Sequence, residues 1–171
     1  MATTVITYTR GSTYISEYHD GTYYYGLIGT LTVGGLKFDS LENFNLNRKT
    51  VDTVHLKAQD YISAVMYWHT NLKCYVINPW NGTGPNDKQN NILVHSGSRP
   101  SDFAGCIGPG FLARAGTPNS LSLSRASLKL IWENCGGAPD NKPEWSKNAL
   151  QVVFRVTNDF PDRKTVTKST G

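Results

Sequence analysis

Gly34-Gly35 stands between two short runs that alternate apolar and polar residues, Leu31-Thr32-Val33 and Leu36-Lys37-Phe38. A glycine pair in that setting is a strong hairpin signal, because both central residues of a tight primed turn need positive φ. The same alternation, rich in aromatic and β-branched side chains and punctuated by Gly, Asn and Asp, fills the first half of the chain. It predicts strands over 4–9, 13–18, 24–33, 36–40, 51–56, 61–67, 72–77 and 92–95, with a polar loop over 79–91. One helix is expected, capped by Ser122 or Ser124, carrying Ala126, Leu130 and Ile131 at helical spacing and ended by Gly136-Gly137. Alternation returns over 150–156 as a last strand, while 159–171 has no periodicity and reads as a loose tail. The expected fold is mainly β, a β-rich α+β domain over 1–158 with one main helix.

A chain of 171 residues, 39% hydrophobic and 18% charged, has enough apolar mass for one core and is neither disordered nor membrane-spanning by composition. No apolar run approaches transmembrane length. The first ten residues have no basic start and no long apolar stretch, so no secretory signal is expected. Synthesis in the cytoplasm follows, with a non-classical route if the protein acts in the envelope or in a target cell. The formal charge of +4 is scattered apart from Arg163-Lys164 and Lys168. Such a charge suits an anionic polymer such as a cell wall, or only solubility; neither nucleic acid nor membrane is an expected partner. Three cysteines without a Cys-x-x-Cys pair argue against a disulfide framework and a structural zinc site, and no cofactor or metal is expected. Cys74 and Cys135 read as small packing residues.

Chemistry concentrates in one stretch. His95 leaves a short apolar run, Ile92-Leu93-Val94, and a small polar loop leads to Gly105-Cys106-Ile107. Gly97, Pro100 and Gly105 supply bends that can return Cys106 to the histidine. A thiol becomes a nucleophile when a base takes its proton, and His95 is the candidate base. Gly105 admits a substrate close to the backbone, and N–H groups over 104–106 are candidate oxyanion donors.

The arrangement His-x-Gly, a hydroxyl-bearing loop, then Gly-Cys-Ile resembles the active-site signature of the L,D-transpeptidase (YkuD-like) domain. It is also similar to a family of small phage and bacterial proteins of uncharacterised function with His-x-Gly-Asn and Asp-Thr-x-Gly-Cys-Ile motifs. There the likeness extends to Arg10, to 28–35, to Leu41-Glu42 and to 124–128, covering 4 to about 137. The resemblance implies an L,D-transpeptidase-like β scaffold and a Cys106 thioacyl intermediate on a cell-wall peptide, with His95 as base and acid. It also implies backbone roles for Gly97, Ala104 and Gly105, an acidic role for Asp102 and a hydroxyl position near Ser101. Two positions depart from the transpeptidase pattern: Phe103 stands where a Ser or Thr belongs, and Gly108 where an Arg belongs. Arg99 and Arg114 are candidate replacements for that arginine.

Two function classes follow. One is a cysteine acyl-transferase or hydrolase acting on peptidoglycan peptide. The other is a non-enzymatic phage or contractile-injection-system accessory or cargo protein on the same scaffold. Elsewhere, His19, His55 and His69 read as isolated, and Tyr23-Tyr24-Tyr25 as an edge-strand cluster. Tyr75 and Trp80 read as strand-end core or as groove-lining aromatics, and Asp39 and Glu42 carry no legible pairing.

Overall fold

The computed structural model describes residues 3–46, 55–113 and 119–169. The strands are β1 (Val5–His19), β2 (Thr22–Val33), β3 (Leu36–Phe44), β4 (Gln59–Tyr61), β5 (Val65–His69), β6 (Cys74–Asn78), β7 (Ile107–Leu112), β8 (Leu121–Ser122), β9 (Leu150–Gln151), β10 (Val153–Thr157) and β11 (Thr167–Lys168). Two helices, α1 (Asp87–Asn90) and α2 (Ser124–Asn134), and a 3₁₀ turn at Pro100–Asp102 complete the order. The large sheet runs β4-β10-β1-β2-β3-β7-β8, with β11 beside β1, and a small sheet runs β6-β5-β9. The fold is mainly β and forms a single domain.

The long hairpin β1–β2–β3 is the frame. Ile6, Tyr8 and Arg10 of β1, Leu31 and Val33 of β2, and Phe38, Ser40 and Glu42 of β3 are the buried phase of the alternation. That face meets the small sheet and the apolar stripe of α2, Leu128, Ile131 and Trp132, in one continuous core. The β2–β3 turn pairs Val33 with Leu36 around Gly34-Gly35, as the sequence predicts. Only Gly34 takes positive φ, at +54°, so the expectation that both glycines need it is corrected.

The predicted strand over 61–67 divides into β4 and β5 around an exposed turn at Ile62. The strand over 150–156 also serves two partners. Val152 N–H reaches Ala64 O while Val153 N–H reaches Thr4 O, so the segment steps from the small sheet to the large one. The predicted loop over 79–91 contains α1, capped by Asn86 Oδ1 at Gln89 N–H, 2.9 Å. The predicted strand over 51–56 lies outside the described residues at 51–54, and His55 and Leu56 are buried without strand pairing.

Helix α2 ends as expected. Gly136 at φ +98° follows the last turn, and the N–H groups of Gly136 and Gly137 close onto Glu133 O and Trp132 O in a Schellman motif. Its start is a correction. Leu123 precedes it in the left-handed region at φ +56°, and neither Ser122 nor Ser124 caps it. Ser122 Oγ donates to Phe111 O, and Ser124 is already helical.

The loose tail expected over 159–171 is also corrected. Phe160 stacks on His55 at 3.9 Å, Val166 is buried, and β11 pairs in parallel with Thr13 and Tyr14. Tail periodicity is absent because three separate contacts, not one strand face, hold the segment.

Candidate functional site

The site loop sits where the two sheets join. Val94 bridges Ile77 of β6 on one side and Ile107 of β7 on the other. The predicted strand over 92–95 is thus a single bridging residue, because the chain turns away into the loop immediately after it. Parallel pairing of Val94 with Ile107 sends both side chains into the core, where each is fully buried. Their chain neighbours His95, Cys106 and Gly108 therefore face the other side of the large sheet.

On that side the loop forms a second layer. Phe103 and Leu121 pack over Ile15 and Leu41 in a separate apolar cluster, with Cys106 at its margin. Pro100 sits against Gly26, where a Cβ would lie 3.2 Å from its ring. Leu41 is buried here although its strand neighbours Ser40 and Glu42 are buried on the opposite face. The middle of β3 is consequently enclosed from both sides.

The two departures from the transpeptidase pattern occupy one space. A Cβ on Gly108 would fall 2.1 Å from the Phe103 ring, and one on Gly97 would fall 2.7 Å from it. The same ring stands 5.3 Å from the His95 ring. Phe103 fills the volume that a side chain at 108 would need, so the residues at 103 and 108 constrain each other. Of the two candidate replacements only Arg99 is described, and it does not take the arginine's place. Arg99 is exposed and lies 4.0 Å from Glu17 on the far side of the loop, and Arg114 is outside the described residues.

His95 is held in one tautomer. Its Nδ1 lies 2.8 Å from Ser96 O, which only accepts, so Nδ1 carries the proton and Nε2 presents a lone pair. Burial pushes the imidazole below the ordinary histidine range, against the opposing pull of Ser96 O and the Asp102 carboxylate, so the ring is neutral at pH 7. His95 is 7% exposed and lines an open cleft of about 840 Å³ with Asn71, Ser98, Ser124 and Arg125.

Cys106 is held differently. Its Sγ accepts the Leu93 N–H at 3.4 Å and donates weakly to Asn91 O at 3.7 Å. Burial pushes the thiol up, the Leu93 N–H pulls it down, and the Glu42 charge adds to the rise. The structure brings His95 and Cys106 to one face but joins them by no hydrogen bond. The thiol turns toward 91–93 and the imidazole toward the cleft.

The remaining predicted residues divide between loop architecture and open backbone. Asp102 Oδ2 accepts the N–H groups of Ser98 and Arg99, at 2.8 and 3.0 Å, and closes the 3₁₀ turn. Ser101 N–H donates to Glu17 Oε1 at 2.7 Å, so it anchors the loop to β1. Gly97 N–H donates to Ser124 Oγ at 3.2 Å, tying the loop to α2. Ala104 and Gly105 take φ of +32° and +93°, and their N–H groups make no hydrogen bond among the described residues. The Cys106 N–H is spent on Phe103 O, so it leaves the set of oxyanion donors.

Sequence reasoning missed a buried polar cluster. Arg10 Nε and Nη2 donate to Glu42 Oε1 and Oε2 at 2.7 and 2.9 Å, and Tyr8 O–H donates to Oε1 at 2.7 Å. His55 Nδ1 lies 3.1 Å from Oε2. The signal was present: Arg10 and Glu42 stand in the buried phase of two strands that both pair with β2. The likeness at Arg10 and Leu41-Glu42 thus maps onto this buried pair. Tyr75 is core, stacked on Trp132 at 4.8 Å, and Trp80 packs edge-on to Tyr61 at 5.1 Å.

Among the described residues no group of three or more His, Cys, Asp or Glu side chains is placed to hold a metal ion. No described helix is long and apolar enough to cross a membrane. No protein family, no curated protein and no solved structure matches the chain.

Proposed function

We propose that this domain is a cysteine-dependent acyl-transferase or hydrolase acting on bacterial cell-wall peptide. The observation that carries the reading is the His95 imidazole: neutral, fixed with its lone pair on Nε2, facing an open cleft, on the same sheet face as Cys106. The peptidoglycan substrate comes from the likeness of the loop to the L,D-transpeptidase signature.

The chemistry requires the Cys106 side chain to turn about χ1, from Asn91 O toward the imidazole. The contacts it gives up are two weak sulfur hydrogen bonds, one to Asn91 O and one from Leu93 N–H. The thiol proton then passes to His95 Nε2 as Sγ bonds to the substrate carbonyl carbon. The Ala104 and Gly105 N–H groups are the free donors beside the developing oxyanion. The carbon–nitrogen bond breaks as His95 returns the proton to the leaving amine. An incoming amine or water gives its proton to Nε2, cleaves the thioester and restores the thiol.

A second reading has its own observation. A half-buried thiol pushed upward and tied to backbone groups suits a non-enzymatic accessory or cargo protein of a phage or injection machine. Purified sacculi incubated with wild type, Cys106→Ala and His95→Ala separate the two. The enzyme reading expects altered muropeptides with wild type alone. Identical profiles for all three sink it and leave the accessory reading. Peptide mapping after iodoacetamide should show Cys106 labelled ahead of Cys74 and Cys135, which are 2% and 8% exposed.

A further inference from the structure

Trp145 is an exposed aromatic held in a built frame. It stacks on Tyr67, with ring centroids 5.9 Å apart and planes 13° from parallel. Its Nε1–H donates to Asn81 Oδ1 at 2.8 Å. Asn81 is held in turn: it takes φ +48°, and its N–H donates to Oδ1 of the buried Asn78 at 3.0 Å. Asn78 Nδ2 closes the frame on the Tyr67 hydroxyl at 3.4 Å. A Cβ on Gly82 would lie 3.4 Å from Trp145 Cζ2, so backbone also packs against the ring. Trp145 nevertheless stays 47% exposed. Apolar side chains exposed singly are ordinary, but one fixed by stacking and by its only polar atom is preorganised. With the N–H engaged, what the indole offers is a rigid carbon surface.

That surface lines a pocket of about 270 Å³ together with Thr70, Asn71 and Glu144. These three are exposed, and their side chains make no hydrogen bond or ion pair among the described residues. His69 lines the pocket as well. Its Nδ1 accepts the Leu72 N–H at 3.1 Å, so the neutral ring carries its proton on Nε2. The second tryptophan of the wall, Trp68, already has the Lys142 ammonium 4.4 Å from its ring centre. The aromatic wall therefore does not make an empty cage for a cation.

We propose that this pocket is a saccharide subsite, in which the apolar C–H face of one pyranose ring lies on Trp145 and its hydroxyls meet Thr70, Asn71 and Glu144. A pyranose has an apolar face and a polar rim, which matches a carbon wall beside open polar groups. The Glu144 carboxylate only accepts, so it suits hydroxyl donors and repels a phosphate or carboxylate. Asn71 lines both this pocket and the cleft of His95, so the two sites adjoin. The sugar recognition stands by itself. Its assignment to the N-acetylhexosamine of a cell-wall glycan rests on the acyl-transfer reading.

The test is an NMR titration of the full chain with chitotriose, choline and triproline in parallel. Chitotriose should shift the Trp145 indole N–H and the backbone amides of 69–71 and 144–145 together and saturably. Choline and triproline, which stand for an ammonium and a peptide occupant, should not. Trp145→Ala should weaken chitotriose roughly tenfold, the upper end for an aromatic stacking contact. Glu144→Ala perturbs only an exposed side chain, so it keeps the proposal testable if Trp145→Ala unfolds. It should weaken chitotriose roughly threefold, as for one lost hydrogen bond, and Glu144→Gln should recover most of that. No saturable shift with chitotriose, equal shifts with choline or triproline, or unchanged binding in Trp145→Ala overturns the subsite. Cys106→Ala should bind chitotriose as wild type does. Inert sacculi with intact chitotriose binding end the enzyme reading and leave the subsite standing. Altered muropeptides without chitotriose binding do the reverse.

Discussion

Two polar constellations lie on opposite faces of the same sheet. The Arg10–Glu42–His55 cluster is enclosed on the core side, and His95 and Cys106 lie under the loop on the other. In the first, Arg10 and Glu42 are 3% and 1% exposed, and the carboxylate is met by Arg10, Tyr8 and His55. In the second, an imidazole nitrogen and two backbone N–H groups have no partner among the described residues. The difference teaches where to look for chemistry. A buried carboxylate met by its cation is committed to the fold, whereas polar groups left open near the surface are available to a ligand.

The sharpest way to break that contrast is to unpair the buried cluster. Arg10→Met leaves the Glu42 carboxylate buried without its cation and should cost about 3–5 kcal/mol, read as a lowered urea midpoint. Arg10→Met with Glu42→Leu should regain much of it, because the stranded charge is gone. Burial alone would raise Glu42, but the Arg10 charge and the bonds from Arg10 and His55 hold it down to about 2. Its folded value is thus below the unfolded one of about 4.3. The stability it contributes is present above that unfolded value and is lost as pH falls toward about 2. A melting-temperature profile should fall across that window in wild type and flatten in Glu42→Gln. A flat wild-type profile would show that the carboxylate is not held as an anion.

The two faces also differ in how far the sequence discloses them. Strand alternation reports burial on one face, so Ile6, Tyr8 and Arg10 announce the core side, and the β2–β3 hairpin follows from its glycines. The hybrid burial of β3, with Leu41 covered as well as Ser40 and Glu42, does not show in a period of two, because a distant loop covers it. His95 and Cys106 are legible as a pair by residue type and spacing. Which way each side chain turns is not, since Ser96 O, Leu93 N–H and Asn91 O decide it. Phe103 and Gly108 stand in the sequence as two separate departures from the resembled signature, and their shared volume shows only in three dimensions.

That shared volume gives the next prediction. Gly108→Arg forces a side chain into the Phe103 ring and should destabilise by overpacking, about 1–3 kcal/mol or more. Phe103→Ser should cost about 3 kcal/mol, in the range for emptying a buried aromatic site. If the two residues share one volume, the double variant should be more stable than the sum of the single losses by about 0.5–3 kcal/mol, the range for coupled neighbours. Additive losses in denaturant melts would mean that the loop relaxes independently at each position. The double variant carries the residue types of the transpeptidase signature at both positions, so a gain in muropeptide turnover would tie the pair to activity.

The mildest perturbation probes the loop alone. Asp102 accepts two loop N–H groups and faces solvent, so Asp102→Ala should cost only about 1 kcal/mol, as for a lost capping side chain. Its effect on His95 is more informative. The Asp102 charge raises the imidazole against the burial that lowers it. Removing the carboxylate should therefore shift the His95 titration further down, as followed by NMR of the ring protons. Asp102→Asn should produce the same downward shift with less loss of stability, because the amide oxygen still accepts from Ser98 or Arg99. An upward shift in either variant would place the ring in water and remove the buried, neutral base on which the contrast between the two faces depends.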